Sequence, residues 1–482
     1  MKLLSVASEI FPLIKTGGLA DVTGALPAAL EKLGVQTRTV LPGYSQVLDK
    51  CPKAKLVAEF ANIGGHAVSI LGAKVAGLDL LIVKAPGLFE RDGGPYADLN
   101  GADYGDNWRR FSVFAKAAAM IATGALKGYK PDVVHCHDWQ AALTPAYLRF
   151  GTEPAPPSVM TIHNIAFQGQ FAAQVFGELG LPASAWSFDG VEYYGSVGFL
   201  KGGLQAADAI TTVSPTYARE IRNAEFGMGL EGLINARAGV VSGIVNGIDT
   251  DVWNPETDPA LATGFATRTS ARRSGNRKAV AKHFGLKPGD GLLVAIVTRL
   301  TWQKGMDLLA EAVDGIVANG ASLAILGSGD KGLENALQQA AQRHPGRVAI
   351  QVGYDEPLAH LMQGGCDAIL VPSRFEPCGL TQLCALRYGC VPIVARTGGL
   401  ADTVIDANMA GLAAGIATGF HLGPLSARAI VEGVADAAAV KRDGKAWARM
   451  VKNGMTTDVT WQASAERYRN LFQDLIDRQA KA

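Results

Sequence analysis

The chain has 482 residues, too many for one ordinary core, and its 48% hydrophobic content is enough to fill two or three. Charged residues make up only 18% and leave a formal net charge of +1, which excludes the basic footprint of a nucleic-acid binder or of a protein held on an anionic membrane, while leaving room for a local cationic pocket. The six cysteines (Cys51, Cys136, Cys366, Cys378, Cys384 and Cys390) are sparse and lack CxxC spacing, so they read as reduced thiols of a cytoplasmic protein and not as a disulfide framework or a zinc or iron–sulfur site.

The first element, "KLLSVAS", is a short β-branched and apolar run. Glu9 interrupts the apolar stretch that follows, and no small-residue cleavage site appears, so the start reads as a strand and not as a signal peptide. Lys15 then leads into "TGGLAD" at 16–21 and a helical pattern, "GLADVTGALPAALEKLG". "VQTRTVLP" is a second strand, 55–84 reads as an antiparallel insertion, and "NWRRFSVFAKAAAMIATG" is a helix. Strands recur at "DVVHCHD", "SVMTIHN" and "AITTVS". Gly, Asn, Asp and Pro cluster in "GIVNGIDTDVWNPETD", 243–258, the expected linker, and 263–275 is a loop or an early helix.

A second set of strands follows: "LLVAIVT", "SLAILG", "VAIQVG", "CDAILVP" and "VPIVAR". Arg396 then leads into another "TGGLAD" at 397–402. The uncharged stretch 407–427 is too broken by Gly, Pro, Asn and His to span a bilayer. Strands alternating with helices, twice over, imply an α/β fold of two doubly wound parallel-sheet domains. The expected boundaries are 1–245 and 246–460, with a terminal helical segment, 461–482, that can pack on either domain, the N-terminal one included.

In doubly wound sheets ligands bind beyond the carboxyl ends of the strands. A Gly-Gly turn entering a helix there leaves backbone N–H groups free for a phosphate or hydroxyl, and the neighbouring cations suit an anion. If the domains face each other, both TGGLAD turns look into one cleft. In "TRLTWQKG", Arg299 and Lys304 stand in a βα loop and suit a diphosphate. In "SRFEPCGLTQLCALRYG", Glu376 precedes a helix whose first N–H groups, at Gly379, Leu380 and Thr381, favour an anion.

"HCHDWQ" and "TIHNIAFQG" place His135, His137, Asp138, His163 and Asn164 at two strand ends. They fit either a three-histidine metal cluster or a polar surface for a polyhydroxylated ligand. No carboxylate spacing supports the metal, so none is expected. Gly327, Gly329 and Gly332, with Asp355 beyond, match a dinucleotide fingerprint but on the second strand of their domain, not the first. "DTD" at 249–251 could be a metal motif of sugar transferases and reads more simply as turn chemistry.

Seven motifs, "KTGGLADV", "HCHDWQA", "TIHNIAFQG", "NGIDTDVWNP", "TRLTWQKG", "SRFEPCGLTQL" and "RTGGLADTV", resemble in order and spacing those of bacterial and plant glycogen (starch) synthases, over residues 1 to about 470. The resemblance implies a GT-B fold, two Rossmann-like domains across a cleft, and a retaining glucosyltransferase with ADP-glucose as donor and an α-1,4-glucan as acceptor. It needs no metal or other cofactor and has no nucleic-acid or membrane partner. By the same resemblance Lys15 and Gly18 reach the donor, and Arg299 and Lys304 hold the distal phosphate of ADP with the helix start at Leu380 and Thr381. Glu376, with the backbone of Cys378 and Gly379, holds the glucose hydroxyls. Asp138, His163 and Asn164 line the sugar site, Glu9, Asp21 and Tyr96 line the cleft, and Tyr354 borders the adenine. Many relatives carry a second glutamate eight positions after the first, where this chain has Cys384, which removes a ribose contact from that position. A nucleotide-sugar epimerase, a phosphorylase, a dehydrogenase and a non-catalytic glucan-binding protein are the competing readings.

Overall fold

A computed structural model describes residues 1–481. The chain divides into two compact units, Met1–Asn246 with Trp461–Ala482, and Gly247–Thr460. The first contains strands β1 (Lys2–Val6), β2 (Gln36–Pro42), β3 (Lys55–Ile63), β4 (His66–Val75), β5 (Leu78–Lys84), β6 (Val133–His137), β7 (Ser158–Ile162), β8 (Gln170–Ala172), β9 (Glu192–Tyr193), β10 (Ser196–Gly198), β11 (Ala209–Thr212) and β12 (Val241–Gly243). Nine of these form one sheet in the order β12-β11-β7-β6-β1-β2-β5-β4-β3, while β8, β10 and β9 form a small sheet of their own.

Within the nine-stranded sheet only β4 runs against the other strands: it pairs antiparallel with both β3 and β5, and β5 pairs parallel with β2. The antiparallel insertion expected over 55–84 is therefore the β3–β4 hairpin, and β5 belongs to the main sheet. Its "LLIV" run, apolar at every position, is the pattern of a strand covered on both faces. Leu4, Val6, Val134, Cys136, Met160 and Ile162 fill the layer on one face of the sheet. Leu3, Val133 and Val159 fill the layer on the other, against the helix Gly18–Glu31 and the C-terminal helix Gln462–Gln479, which contributes Tyr468, Phe472 and Leu475.

The second unit has β13 (Leu293–Val297), β14 (Ser322–Gly327), β15 (Val348–Val352), β16 (Ala368–Val371), β17 (Val391–Val394) and β18 (Phe420–His421), all parallel, in the order β15-β14-β13-β16-β17-β18. In both units the chain fills one side of the first strand, then crosses to the other side. The order reverses between β1 and β6 and again between β13 and β16, and a doubly wound sheet opens its binding crevice at such a reversal.

The stretch 243–258 is more firmly held than a linker of Gly, Asn and Asp suggests. The Trp253 ring stacks on His360 at 3.7 Å. Asp258 is buried and accepts hydrogen bonds from Tyr388 Oη at 2.5 Å and from His360 Nδ1 at 2.7 Å. Asp249 accepts the N–H of Asp251 at 2.9 Å, so the "DTD" run is a turn closed on itself. Residues 267–284 are a 3-10 turn running into the helix Arg273–Phe284.

The two TGGLAD copies occupy different places in their sheets. The first follows β1, at the reversal, and Lys15, Thr16, Gly17 and Gly18 are exposed. The second follows β17, and Thr397, Gly398 and Gly399 are buried. The Gly399 N–H bonds the carbonyls of Glu376 and Pro377, both at 3.1 Å, and a methyl group on Gly399 would lie 2.1 Å from the Cys378 oxygen. The second glycine pair is thus a close-packed support for the loop 376–379, and only the first pair is exposed. Gly399→Ala should destabilise the protein by more than about 1 kcal/mol, the size of an ordinary backbone misfit. Gly17→Ala, with extended backbone and nothing within 4 Å of the added carbon, should stay within about 0.5 kcal/mol. Thermal melts of the two variants measure this difference.

Candidate active site

At the reversal of the second unit, the loops after β13 and β16 are stitched together. Arg374 donates to both carboxylate oxygens of Asp307, each at 2.7 Å, and to the Trp302 carbonyl at 2.6 Å, while its guanidinium lies 4.3 Å over the Trp302 ring. On this frame Lys304 Nζ donates to Glu376 Oε2 at 2.6 Å, and Ser373 Oγ donates to the same oxygen at 2.8 Å. The Lys304 and Glu376 side chains are only 15% and 11% exposed, so the pair is shielded from solvent screening. Lys304, Ser373, Glu376, Gly379 and Thr381 line one pocket together with Thr298 and Gln382. The helix Thr381–Tyr388 starts there without a side-chain cap. Its first N–H groups remain available to an acceptor at its dipole's positive end. Cys378 is buried in the turn, and Leu380 occupies the N-cap position. Arg299 is exposed at the end of β13.

At the reversal of the first unit, Glu9 is 2% exposed and fully engaged. Its carboxylate accepts from Thr16 Oγ1 at 2.6 Å, from Tyr96 Oη at 2.5 Å and from the Thr16 N–H. The residues assigned to the cleft from sequence, Glu9 and Tyr96, thus form a bracket under the turn that carries Lys15 and Gly18. Burial beside Glu9 keeps the Tyr96 phenol protonated. Lys15 pairs with Asp21 at 2.7 Å, and both are partly exposed.

Across β6 and β7, Asp138 Oδ1 accepts the His163 N–H at 2.7 Å and the Asn164 N–H at 3.4 Å. Asp138 is held at φ 56°, a left-handed value that non-glycine residues adopt at a cost of order 1–3 kcal/mol. Burial pushes its carboxyl up to about 7, against the pull of the two N–H groups. His137 Nδ1 and His163 Nε2 are hydrogen-bonded to each other at 3.0 Å, and His135 Nε2 bonds Thr161 Oγ1 at 2.6 Å. Burial lowers His135 and His163 to about 3 and His137 well below its ordinary value, so all three imidazoles are neutral. Tyr468 and Phe472 of the C-terminal helix press on His135, at 5.1 and 5.5 Å.

Tyr354 does not join the pocket: it lies beyond β15, is 76% exposed and bonds Glu356 at 2.7 Å. Cys384 is buried among Ile248, Leu383, Leu386 and Val459. The dinucleotide reading loses its residues to structural duties. Gly327 and Gly329 let the end of β14 and the loop after it pass within contact of the Thr298 and Leu300 carbonyls, while Asp330 and Asp355 cap the helices Lys331–Arg343 and Glu356–Gly365. The sequence pattern does not single out Ser373 or Asp307, although Ser373 stands three residues before Glu376 in the same motif. Among the described residues no helix is long and apolar enough to cross a membrane.

Two reversing parallel sheets, each with polar and charged side chains at its own reversal, together with matches to the family model "Starch synthase catalytic domain" over 2–236 and to "Glycosyl transferases group 1" over 278–456, define a glycosyltransferase of the GT-B class. The chain is 58% identical over 478 residues to a glycogen synthase of Mesorhizobium japonicum, and 58% identical over 477 residues to glycogen synthase 1 of Rhizobium meliloti, in each case across 99% of both chains. Among solved structures it is similar to the catalytic domain of starch synthase IV from Arabidopsis thaliana bound to ADP and acarbose, with a TM-score of 0.88 and 31% identity over 98% of this chain and 99% of that one. The chain belongs to the glycogen and starch synthase family of glucosyltransferases.

The raised Asp138 carboxyl makes stability pH-dependent. Between the ordinary carboxylate range and about 7, the folded protein holds a proton that the unfolded chain has released, so this group's contribution falls as pH rises through that window. Asp138→Asn removes this titration. The stability of the variant relative to wild type should therefore improve from pH 4.5 to pH 7.5 in chemical denaturation, and a constant difference would show that Asp138 titrates normally.

Proposed function

We propose that the protein transfers glucose from ADP-glucose to the non-reducing end of an α-1,4-glucan, with retention of configuration and release of ADP. The observation that carries this reading is the Lys304–Glu376–Ser373 constellation at the reversal of the second unit, beside an uncapped helix start. Breaking the anomeric C–O bond leaves an oxocarbenium-like sugar and a diphosphate. Lys304, the exposed Arg299 and the N–H groups at Thr381 supply fixed positive charge where the diphosphate gains negative charge. Glu376, already fixed by Ser373, accepts hydrogen bonds from glucose hydroxyls and orients the ring.

On the acceptor side, the neutral imidazole of His163 and the amide of Asn164 suit hydroxyl groups. Asp138 holds both at the end of β7 through their backbone N–H groups. Retention is assigned to attack on the face the diphosphate leaves, with a departing phosphate oxygen taking the acceptor proton. The reading routes no step through a metal ion. The six free and buried cysteines support a cytoplasmic setting.

The test is a measurement of nucleotide release and glucose incorporation with glycogen and either ADP-glucose or UDP-glucose. Release with ADP-glucose that requires the glucan and persists in EDTA is the expected result. Release without glucan, a preference for UDP-glucose, or activity lost to EDTA and restored by Mg²⁺ would each overturn the corresponding part of the reading.

A further inference from the structure

The hairpin joining β9 to β10 turns through Tyr194 and Gly195, with φ of 49° and 75°. A two-residue hairpin with both central residues left-handed is the turn that favours Asn-Gly or Gly-Gly, since a Cβ is poorly tolerated there. Here its first position holds a tyrosine that is 80% exposed. Beside it, Met228 is another of the few non-glycine residues with positive φ, at 50°, and is also exposed. Each is followed by a glycine whose N–H is captured by a carboxylate: Gly195 by Glu192 at 2.7 Å, and Gly229 by Glu231 at 2.9 Å. Two strained backbone positions are therefore braced side by side, and what they present to solvent is an aromatic ring and a thioether. Local stability alone would place Asn at 194, because Asn tolerates the left-handed region and Tyr does not.

This surface is continuous with the proposed acceptor loop. Gln168, four residues after Asn164, donates through Nε2 to the Met228 carbonyl at 3.0 Å, and Tyr193, whose ring lies 4.9 Å from that of Tyr194, approaches the same carbonyl. The carboxylates nearby are spent on backbone N–H groups, so the patch offers an aromatic face with amide and hydroxyl groups at its edge. Such a surface fits a neutral, polyhydroxylated chain, whose C–H faces stack on aromatic rings.

We propose that Tyr194 is the platform of a second glucan contact, which holds a part of the acceptor chain away from its reacting end. The proposal rests on the acceptor being a glucan, as proposed above. The test compares wild type, Tyr194→Asn and Tyr194→Phe in native gels containing glycogen, without donor, and in ADP-release kinetics against glycogen. Tyr194→Asn should melt no lower than wild type, yet bind glycogen and maltoheptaose about tenfold more weakly and show a correspondingly higher KM for glycogen. Tyr194→Phe, which keeps the ring, should bind as wild type does. Unchanged glycogen affinity in Tyr194→Asn, with glucan-dependent ADP release intact in wild type, overturns this site alone. Absence of glucan-dependent release in wild type overturns the reading on which it rests.

Discussion

The contact on which the second unit's pocket depends is the ion pair of Lys304 with Glu376. The residues are 72 positions apart in sequence, on loops leaving adjacent strands, and their charges meet at 2.6 Å with little solvent access. Desolvating two charges is costly, and removing one partner of such a pair costs about 3–5 kcal/mol because the other is left uncompensated. The pair therefore fixes both loops in one arrangement. The Arg374–Asp307 bridge, the Ser373 hydroxyl and the buried Gly398–Gly399 turn all support the same segment from other sides. A substrate that brings negative charge to Lys304 and hydroxyl groups to Glu376 finds both groups already oriented, so little of its binding energy is spent on ordering them.

The first unit solves the parallel problem with a carboxylate that stays inside. Glu9 is consumed by Thr16 and Tyr96, and Tyr96 is held in turn by Asn107, which donates to its carbonyl at 2.9 Å. Lys15 and Gly18 owe their position to this bracket. Asp138 plays a similar part for His163 and Asn164, at the price of a left-handed backbone and a reluctantly ionised carboxyl.

Much of this was legible in the sequence because parallel strands buried on both faces are written as continuous apolar runs, and because chemistry gathers where such runs end. "LLVAIVT" followed by Arg299 and Lys304 could be read in that way without knowing the strand order. What could not be read was pairing at a distance. Nothing local shows that β5 rejoins the parallel sheet, that one TGGLAD copy is exposed while its twin is buried under the 376–379 loop, or that Trp253 anchors an apparent linker by stacking on His360. Acids mislead for the same reason: Asp330 and Asp355 sit where a ribose contact or phosphate loop is sought, and their oxygens are spent on helix caps.

The claim that Lys304 and Glu376 act as one preorganised unit is tested most directly by a double-mutant cycle on kcat for glucan-dependent ADP release, with Lys304→Ala, Glu376→Ala and the double variant. Residues that work as a unit are strongly non-additive, so the double variant should be about as slow as the slower single one. Losses that multiply would show two independent contributions, and would contradict the account.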